Sequence, residues 1–220
     1  MHRRAFLASI TTLLTAACSG DSGLGLVFRT LGSDSSRYAL TPERIAAIPY
    51  STMGFWTNSG IQNIVVMETL EPPYRATWRA ADRMLVVTDN GLVAQTSGML
   101  RDLRRYAYNE MPVLTLEAIA QLDGHRATGL IDVSGPDETG LPFEAKFVVG
   151  SMQRVTILGE EQTAIPVTEH LKLPGKRWKT ENHYWFRERD GLAIKGQRSF
   201  HPDLPALNWE RYARPARQAA

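Results

Sequence analysis

Three carboxylates stand close together in a glycine-rich stretch, and paired carboxylates are the groups that hydrolyse glycosides. Asp132, Asp137 and Glu138 lie within Thr128–Pro142, which also holds three glycines. One carboxyl group can protonate the leaving oxygen while a second acts as nucleophile or base, provided that the two face each other. Loops also collect acidic residues without any catalytic role. A periplasmic glycan-modifying enzyme that uses these loop carboxylates is therefore one hypothesis.

The histidines and the cysteine form no pattern typical of a metal site or an activated nucleophile. Beyond the first seventeen residues the histidines are far apart and have no cysteine beside them. The zinc-protease pair, the phosphate-binding loop and the dinucleotide-binding glycine motif do not occur. A metal site built from His183 and His201 is not favoured. We therefore predict no metal, no cofactor and no enzymatic activity.

Aromatic residues are concentrated toward the C-terminus, where they could contact a sugar. Sugar rings stack on exposed aromatic rings, so Tyr184, Trp185 and Trp178 are the candidate contacts for a glycan or a partner protein. Aromatic side chains also fill β cores, and that interpretation is favoured for Trp178 and Trp185. The full set comprises Trp178, Tyr184, Trp185, Phe200 and Trp209.

The only cysteine, Cys18, follows a segment with the three parts of a secretory leader. Met1–Ala17 has a positive start, an apolar run at Ala5–Leu14 and small residues before the cysteine. The apolar run is too short to cross a hydrocarbon core of roughly 30 Å. The segment Leu14–Cys18 resembles a bacterial lipobox, and a lone exported cysteine has no disulfide partner. We predict that Cys18 carries a lipid; a plain signal peptide cut near Ala17 is the alternative.

The leader also bears on the route and the destination of export. Its paired arginines, Arg3 and Arg4, resemble a twin-arginine signal, and an ordinary charged start explains them equally well. Ser19 stands where Asp resembles an inner-membrane retention signal, so the outer membrane is favoured. We predict an envelope lipoprotein attached to the outer membrane by its lipid and facing the periplasm.

The charge of the mature chain argues against nucleic acid as a partner. The full sequence has 25 basic and 23 acidic residues, and the leader holds two of the basic ones, so the mature chain is formally 23 − 23 = 0. Nucleic-acid binding needs a basic face. The 203 residues left after removing 17 from 220 are enough for one sizeable core.

The elements that must position these residues begin with a short helix. We divide the chain into a leader (1–17), a lipidated tether (18–39), a β-rich domain (40–213) and a polar tail (214–220). Thr41 is a good N-cap and Pro42 suits the first turn, so a helix is predicted over Thr41–Ile48. Leu40 and Ile45 have the spacing of a hydrophobic staple.

Beyond the helix the apolar residues recur with a period of two, which is typical of strands. Asn90-Gly91 is a strong hairpin signal. For the turn that ends in Asp190-Gly191, a four-residue turn would set Arg187 opposite Leu192 and Trp185 opposite Ile194. A two-residue turn would set Trp185 opposite Gly196 and Arg187 opposite Ile194, and the better apolar match favours the four-residue turn. The predicted strands are Asn63–Thr69, Tyr74–Arg79, Met84–Asp89, Leu92–Ser97, Phe143–Val149, Gln153–Leu158, Ile165–Leu171, Trp178–Arg187, Leu192–Phe200 and Leu204–Tyr212.

The middle of the chain is less regular. Met99–Tyr108 loses the alternation and is interpreted as a short helix whose charged part, Arg101–Arg105, is a solvated face. Pro112–Ala127 fits helix and strand equally. Thr128–Pro142 is predicted to be largely surface loop, because its glycines and proline favour turns. The fold class is mainly β: a single domain of curved antiparallel sheet, an open barrel or a sandwich, with a short N-terminal helix and few other helices.

Four stretches, taken in order, resemble the YjbF family of lipoproteins, which includes the group 4 capsule lipoprotein. They are Leu40–Tyr50, Thr88–Leu92, Asn182–Trp185 and His201–Pro205. The resemblance implies an envelope lipoprotein associated with making or exporting an extracellular polysaccharide, and it implies no catalytic residues. The leading hypothesis is therefore a non-enzymatic lipoprotein that binds polysaccharide or a protein of the export machinery.

Overall fold

The structure, a computed structural model, describes residues 40–58, 62–71 and 74–212. The predicted leader Met1–Ala17, the predicted lipidation site Cys18 with the rest of the tether, and the tail 214–220 lie outside these ranges. Within them, neither α-helix has the length and apolar character needed to cross a bilayer.

The short N-terminal helix is confirmed. Helix α1 spans Pro42–Ala46, and the Thr41 hydroxyl accepts a hydrogen bond from the backbone N–H of Arg44 at 3.4 Å. A second helix, α2, spans Leu116–Ala120, where the hydroxyl of Thr115 accepts from a backbone N–H in the same way. The ambiguous stretch Pro112–Ala127 is therefore helical at its centre, because it has the same cap chemistry as α1.

Thirteen strands make up most of the described chain, which confirms a mainly β fold. Their inward residues alternate with outward ones, as the period of two predicts. The strands are β1 Thr52–Thr57, β2 Asn63–Glu71, β3 Arg75–Ala80, β4 Leu85–Asp89, β5 Leu92–Ser97, β6 Leu103–Tyr108, β7 Arg126–Val133, β8 Leu141–Val149, β9 Gln153–Ile157, β10 Glu160–Leu173, β11 Trp178–Arg187, β12 Ala193–Arg198 and β13 Leu207–Tyr212.

The strands form one antiparallel sheet that curves into a nearly closed barrel. The hydrogen-bonded order is β5-β4-β3-β2-β1-β13-β12-β11-β10-β8-β7-β6, with β9 paired only to β10. The last strand pairs with the first, so the N- and C-terminal halves are joined at β1 and β13. The two end strands of this order, β5 and β6, lie side by side. Between them, no backbone ladder is formed by the residues that the structure describes.

The hairpin predictions are confirmed, with one difference in loop length. Asn90 and Gly91 both have positive φ (51° and 78°), as the tight turn between β4 and β5 requires. The β9–β10 hairpin turns at Leu158 and Gly159, whose φ angles are 49° and 81°. The predicted strands Gln153–Leu158 and Ile165–Leu171 leave six residues, Gly159–Ala164, between them. This loop length is wrong, since Glu160 already pairs with Ile157.

The hairpin between β11 and β12 has the four-residue turn that the apolar match favoured. The backbone N–H of Arg187 donates to the carbonyl of Leu192 at 2.8 Å. Trp185 pairs with Lys195 and not with Ile194, because Ile194 is an extra residue in β12 at a bulge.

The short helix predicted over Met99–Tyr108 is wrong, since Leu103–Tyr108 forms strand β6. The register of β6 shifts against β7 between Leu103 and Arg105, so Arg104 is an extra residue. A bulge of this kind puts two successive side chains on the same side and breaks the alternation that marks a strand in the sequence. Arg104 and Arg105 are both exposed for this reason.

The surface loop predicted for much of Thr128–Pro142 is present but shorter, since it covers residues 134–140. Strand β7 runs through Val133 and β8 begins at Leu141, so only the residues between them are loop. Gly129 lies inside β7, where an added Cβ would come 2.1 Å from the Ala107 carbonyl oxygen and 2.5 Å from the Phe143 ring. Glycine is therefore required here by close packing and does not mark a turn.

Two apolar clusters lie on the two faces of the sheet. The interior cluster fills the barrel, and its largest buried side chains include Trp78, Trp209 and Phe55. The outer cluster packs Ile45 of α1 against the sheet, with Ile194 of β12 among its members. Successive residues of β12 belong to different clusters, Ala193 to the interior and Ile194 to the outside.

Candidate functional site

A carboxylate and a guanidinium are buried together inside the barrel. The side chain of Glu169 in β10 is 0% exposed and that of Arg198 in β12 is 1% exposed. Arg198 Nη2 lies 3.7 Å from Glu169 Oε2. Removing two charges from water costs several kcal/mol per ion, so such a pair needs further hydrogen bonds to be stable.

The carboxylate of Glu169 accepts four hydrogen bonds. Tyr106 and Tyr108 donate their hydroxyl protons to Oε1 at 2.8 and 2.6 Å. Asn182 and Tyr184 donate to Oε2 at 2.9 and 2.5 Å. Both oxygens therefore have partners that replace water, as burial of an ionised carboxylate requires.

The guanidinium of Arg198 is held just as completely. Its Nε donates to the Tyr184 hydroxyl at 2.7 Å and its Nη2 to the Tyr108 hydroxyl at 3.0 Å. Each of these hydroxyls thus accepts from Arg198 while it donates to Glu169. The guanidinium carbon also lies 4.0 Å from the centre of the Tyr106 ring, within cation–π distance.

Arg198 also joins the two end strands of the sheet. Its Nη1 donates to the backbone carbonyl of Val93 in β5 at 2.6 Å, and its Nη2 contacts Tyr108 in β6. A backbone carbonyl of an end strand of the sheet therefore accepts a hydrogen bond from a buried side chain. We call the set Tyr106, Tyr108, Glu169, Asn182, Tyr184 and Arg198 the buried polar cluster.

The surroundings fix the protonation of this cluster. Burial raises the pKa of Tyr106, Tyr108 and Tyr184 well above the ordinary value of tyrosine, and the charge of Glu169 adds to the effect. Burial acts to lower the pKa of Arg198, but its electrostatic interactions with the tyrosines and Glu169 outweigh this and raise its pKa. The tyrosines remain protonated donors and Arg198 remains a cation at neutral pH.

Sequence reasoning missed Glu169 and Arg198, although a signal for both exists. Glu169 stands between the buried residues Val167 and Leu171, on the inward face of an alternating strand. Arg198 lies on the inward face of β12 in the same way, two residues after the buried Gly196. A charged residue in an apolar, inward position predicts a buried pair, but the strand pattern does not say which opposite charge it meets.

A cleft of about 500 Å³ lies along the gap between β5 and β6, and we call it the seam cleft. Tyr106, Tyr108 and Arg198 of the buried polar cluster are among its lining residues. The other lining residues are Arg75, Asp89, Asn90, Leu92, Ala94, Gln95, Arg104, Arg105, Ala107, Asn109, Met111, Val113 and Leu114.

The seam is closed at one end by the short connection between its two strands. The hydroxyl of Thr96 in β5 accepts from the backbone N–H of Leu103 in β6 at 2.9 Å. Asp102 accepts from the backbone N–H groups of Gly98 and Met99 and so holds the turn. From this fixed end the cleft extends along the strands toward Asn90 and Asn109.

Two arginines at the rim of the cleft form ion pairs with described residues, and a third does not. Arg75 Nη1 lies 3.6 Å from Asp89 Oδ2, and Arg105 Nε lies 2.8 Å from Asp132 Oδ2. Arg104 is exposed and has no ion-pair partner in the part of the chain that the structure describes. The interpretation of this segment as an ordinary solvated face is therefore incomplete, because Arg104 and Arg105 also line the cleft.

The predicted aromatic residues do not form one exposed surface. Tyr184 is 1% exposed, so the expectation that it presents an exposed ring is wrong. Trp178 is half-buried against the interior cluster and Trp185 is half-buried against the outer one. Phe200 and Trp209 are buried in the interior. The alternation of β11 explains the split, since Tyr184 and Trp185 point to opposite faces.

Two of the three carboxylates singled out in the sequence, Asp132 and Glu138, pair with separate basic side chains. Asp132 pairs with Arg105, and Asp137 is exposed in the loop after β7. Glu138 accepts from Lys176 at 2.9 Å and faces His201 at 3.1 Å. Burial acts to raise the pKa of Glu138, but the Lys176 hydrogen bond and the neighbouring His201 outweigh this and lower the pKa.

The histidines weighed as metal ligands have different partners. His183 contacts the Thr168 hydroxyl at 3.4 Å, whereas His201 faces Glu138. Across the described ranges, no group of three or more His, Cys, Asp or Glu side chains is placed to bind a metal ion.

The chain is similar to known lipoproteins in sequence and in fold. A family model described as "Group 4 capsule polysaccharide lipoprotein gfcB, YjbF" matches residues 14–211. The chain is 25% identical over 192 residues to the lipoprotein GfcB of Escherichia coli K12, which covers 86% of this chain and 88% of that protein. The crystal structure of the hypothetical lipoprotein YmcC from Escherichia coli K12 aligns with a TM-score of 0.67 and 18% identity, over 90% of this chain and 99% of that one.

Proposed function

We propose a function for this chain from the family to which it belongs, the YjbF family of group 4 capsule polysaccharide lipoproteins. The protein is an envelope lipoprotein that assists the production or export of an extracellular polysaccharide. In this proposal the protein binds the polymer and leaves it chemically unchanged. The seam cleft is the binding site.

The observation that carries the proposal is the lining of the seam cleft. Arginine, amide and tyrosine side chains meet there in a recess of about 500 Å³. Sites for small molecules combine apolar or aromatic walls with a few fixed polar groups. Tyr106 and Tyr108 are fixed by their hydrogen bonds to Glu169, so the inner end of the cleft is rigid before any ligand binds. Rigidity of this kind reduces the entropy that binding costs.

A catalytic role for the carboxylates is disfavoured by their partners. A glycosidase needs one carboxyl group with a raised pKa as its general acid. The pKa of Glu138 is lowered, and Asp132 is held by Arg105. The buried carboxylate of Glu169 already accepts four hydrogen bonds and has no second carboxylate beside it in the buried polar cluster.

Attachment to the membrane completes the proposal. A lipid on Cys18 would hold the barrel at the periplasmic face of the outer membrane, with residues 19–36 as a tether of about 18 residues. A flexible chain of that length reaches roughly 24 Å. The barrel would then meet the polymer close to the membrane surface.

The proposed function is tested by deletion and by a blocked cleft. Deleting the gene should lower the amount of secreted polysaccharide, and wild-type protein should restore it. Asn109→Trp places a large ring at the exposed rim of the cleft and should fail to restore secretion, whereas Met152→Trp, at an exposed position that does not line the cleft, should succeed. Restoration by both variants would show that the cleft is not the site.

The chemistry is tested separately. The purified protein should leave the length and composition of the secreted polymer unchanged. Shortened chains, abolished by replacing Asp132, Asp137 or Glu138, would establish the glycan-modifying enzyme instead. Capture of an export protein by wild type and by Asn109→Trp alike, without binding of the polymer, would assign the protein a partner-binding role.

A further inference from the structure

The charges around the seam cleft are unequal, and this points to the class of sugar that it binds. Four of the lining residues are arginines and one is acidic. The arginines are Arg75, Arg104, Arg105 and Arg198, and the acid is Asp89. This inference rests on the proposed function, because it takes the seam cleft as the binding site.

Three of the four arginines are already neutralised. Arg198 is paired with Glu169 beneath the cleft, Arg105 with Asp132, and Arg75 with Asp89. Arg104 has no such partner within the described ranges. One uncompensated guanidinium therefore faces the cleft, and a guanidinium binds a carboxylate through two parallel hydrogen bonds.

The position of Arg104 puts it where the cleft begins. The hydrogen bond between Leu103 and Thr96 fixes the closed end of the seam. Arg104 and Gln95 are the next residues along the two strands, and both line the cleft. The bulge in β6 keeps Arg104 exposed and out of the interior.

The width of the seam argues against an inserted peptide. Cα atoms of β5 and β6 approach within 8 Å of each other. A peptide strand paired with both would separate them by about 9.6 Å, twice the usual spacing of neighbouring strands. Where the two strands approach this closely, a partner strand does not fit between their edges.

We infer that the seam cleft binds an acidic saccharide unit, one that bears a carboxylate, and that Arg104 pairs with this carboxylate. Gln95 supplies an amide group for the sugar hydroxyls, and Asn109, whose Nδ2 donates to the Thr128 hydroxyl at 2.9 Å, supplies its Oδ1 as an acceptor. Tyr108, which is half-buried at the inner end, supplies an aromatic surface. An uncharged unit of the same size leaves Arg104 without a partner and binds more weakly.

The test uses an acidic oligosaccharide and its neutral ester, which has the same sugar backbone and a methyl group on each carboxyl. The full-length protein, in a detergent without a sugar headgroup, is titrated with oligogalacturonate and with its methyl ester by calorimetry. The acidic oligosaccharide should bind about tenfold more tightly, since a guanidinium–carboxylate pair joined by two hydrogen bonds within a cleft is stronger than a single ion pair on an open surface. The preference should shrink when the ionic strength rises from about 0.01 M to about 0.15 M, because the Debye length falls from roughly 30 to roughly 8 Å.

Two variants locate the effect. Arg104→Gln should weaken binding of the acidic oligosaccharide about tenfold and bring its affinity level with that of the ester. Arg126→Gln is the matched control, because Arg126 is also exposed but does not line the cleft, and it should bind like wild type.

The outcomes separate this inference from the proposed function. Equal affinity of the wild type for the two ligands, or binding of neither, would contradict the inference that the seam cleft binds an acidic saccharide. An equal loss in Arg104→Gln and Arg126→Gln overturns the assignment to Arg104. In each case the proposed function is still decided by the secretion experiment with Asn109→Trp and Met152→Trp.

Discussion

Two Arg–Glu pairs of nearly the same length lie in opposite surroundings, one inside the barrel and one on its surface. Glu169 and Arg198 are 3.7 Å apart and 0% and 1% exposed. Arg154 and Glu161, on the β9–β10 hairpin, are 3.4 Å apart and 80% and 63% exposed. Distance alone would rank the surface pair as the stronger. Water decides otherwise, because it screens the surface pair and leaves the buried charges dependent on each other.

The largest expected effect is the loss of the buried carboxylate charge. Glu169→Gln should lower the free energy of unfolding by about 3–5 kcal/mol, because it leaves the guanidinium of Arg198 uncompensated in the interior. Urea unfolding of the non-lipidated Cys18→Ala chain, followed by tryptophan fluorescence, measures it. Glu161→Gln is the matched control and should change the free energy by less than about 0.5 kcal/mol. Similar values for the two variants would remove the contrast between the pairs.

A double-mutant cycle sharpens the comparison. Once Glu169→Gln is present, Arg198→Met should cost about 2 kcal/mol less than it does in the wild type, because the charge that it removes no longer has a partner. The same cycle on Arg154 and Glu161 should give a coupling near zero. Additive effects at Glu169 and Arg198 would mean that the two charges do not depend on each other.

Replacing a tyrosine measures how much of the difference between the buried and the exposed Arg–Glu pair is due to hydrogen bonds. Tyr184→Phe keeps the ring but removes a hydroxyl that bridges Glu169 and Arg198, so it should cost about 2 kcal/mol. Tyr212→Phe loses one part-buried hydrogen bond, to Gln62, and should cost about 1 kcal/mol. If Tyr212→Phe is the more destabilising, Tyr184 does not hold the charges together.

Glu138 lies between the two extremes, since its side chain is 12% exposed. Its pKa is lowered in the fold, so its contribution is fully present above its ordinary pKa of about 4.3 and is lost as the pH falls through the lower folded value. Glu138→Gln should cost about 1 kcal/mol at neutral pH and flatten the acid side of the stability profile. The control is Asp137→Asn, at an exposed position of the same loop, and it should change the free energy of unfolding at neutral pH by less than about 0.5 kcal/mol. An unchanged profile in Glu138→Gln would contradict the prediction.

The smallest effect is expected at the surface pair. Arg154→Ala should change the free energy of unfolding by less than about 0.5 kcal/mol, and added salt should reduce even that. Urea unfolding at low and high ionic strength measures the change. A salt-independent loss of several kcal/mol would show that exposure does not weaken this pair.

Local features of the fold could be predicted because their causes are local. The Thr41 hydroxyl caps α1 by accepting a hydrogen bond from the backbone N–H of Arg44, three residues further along the chain. Asn90 and Gly91 make the β4–β5 turn because they tolerate positive φ. Strands with clean alternation, such as β8, could be predicted because one face packs on the apolar core and the other faces outward, which gives the sequence a period of two. The family resemblance came from such stretches too, and the family match confirms it.

The errors occurred where a distant residue decides the local structure. Gly129 is a strand residue because the ring of Phe143 and the carbonyl of Ala107 fill the space of a side chain. The bulge at Arg104 interrupts the alternation of β6, so the sequence pattern does not indicate a strand there. None of these contacts is visible in the sequence near the residue concerned.

The sequence by itself determined the mainly β fold, the capped helix, the hairpin turns and the family, because propensity, turn chemistry and period act over a few residues. Only the tertiary structure decided that β13 pairs with β1, that β5 and β6 end the sheet side by side, and that Glu169 meets Arg198 between three tyrosines. Closure of a barrel brings together residues such as Val93 and Arg198, which are 105 positions apart. Two buried charges that are far apart in the sequence must lie together in the fold, because neither is stable in the interior without the other.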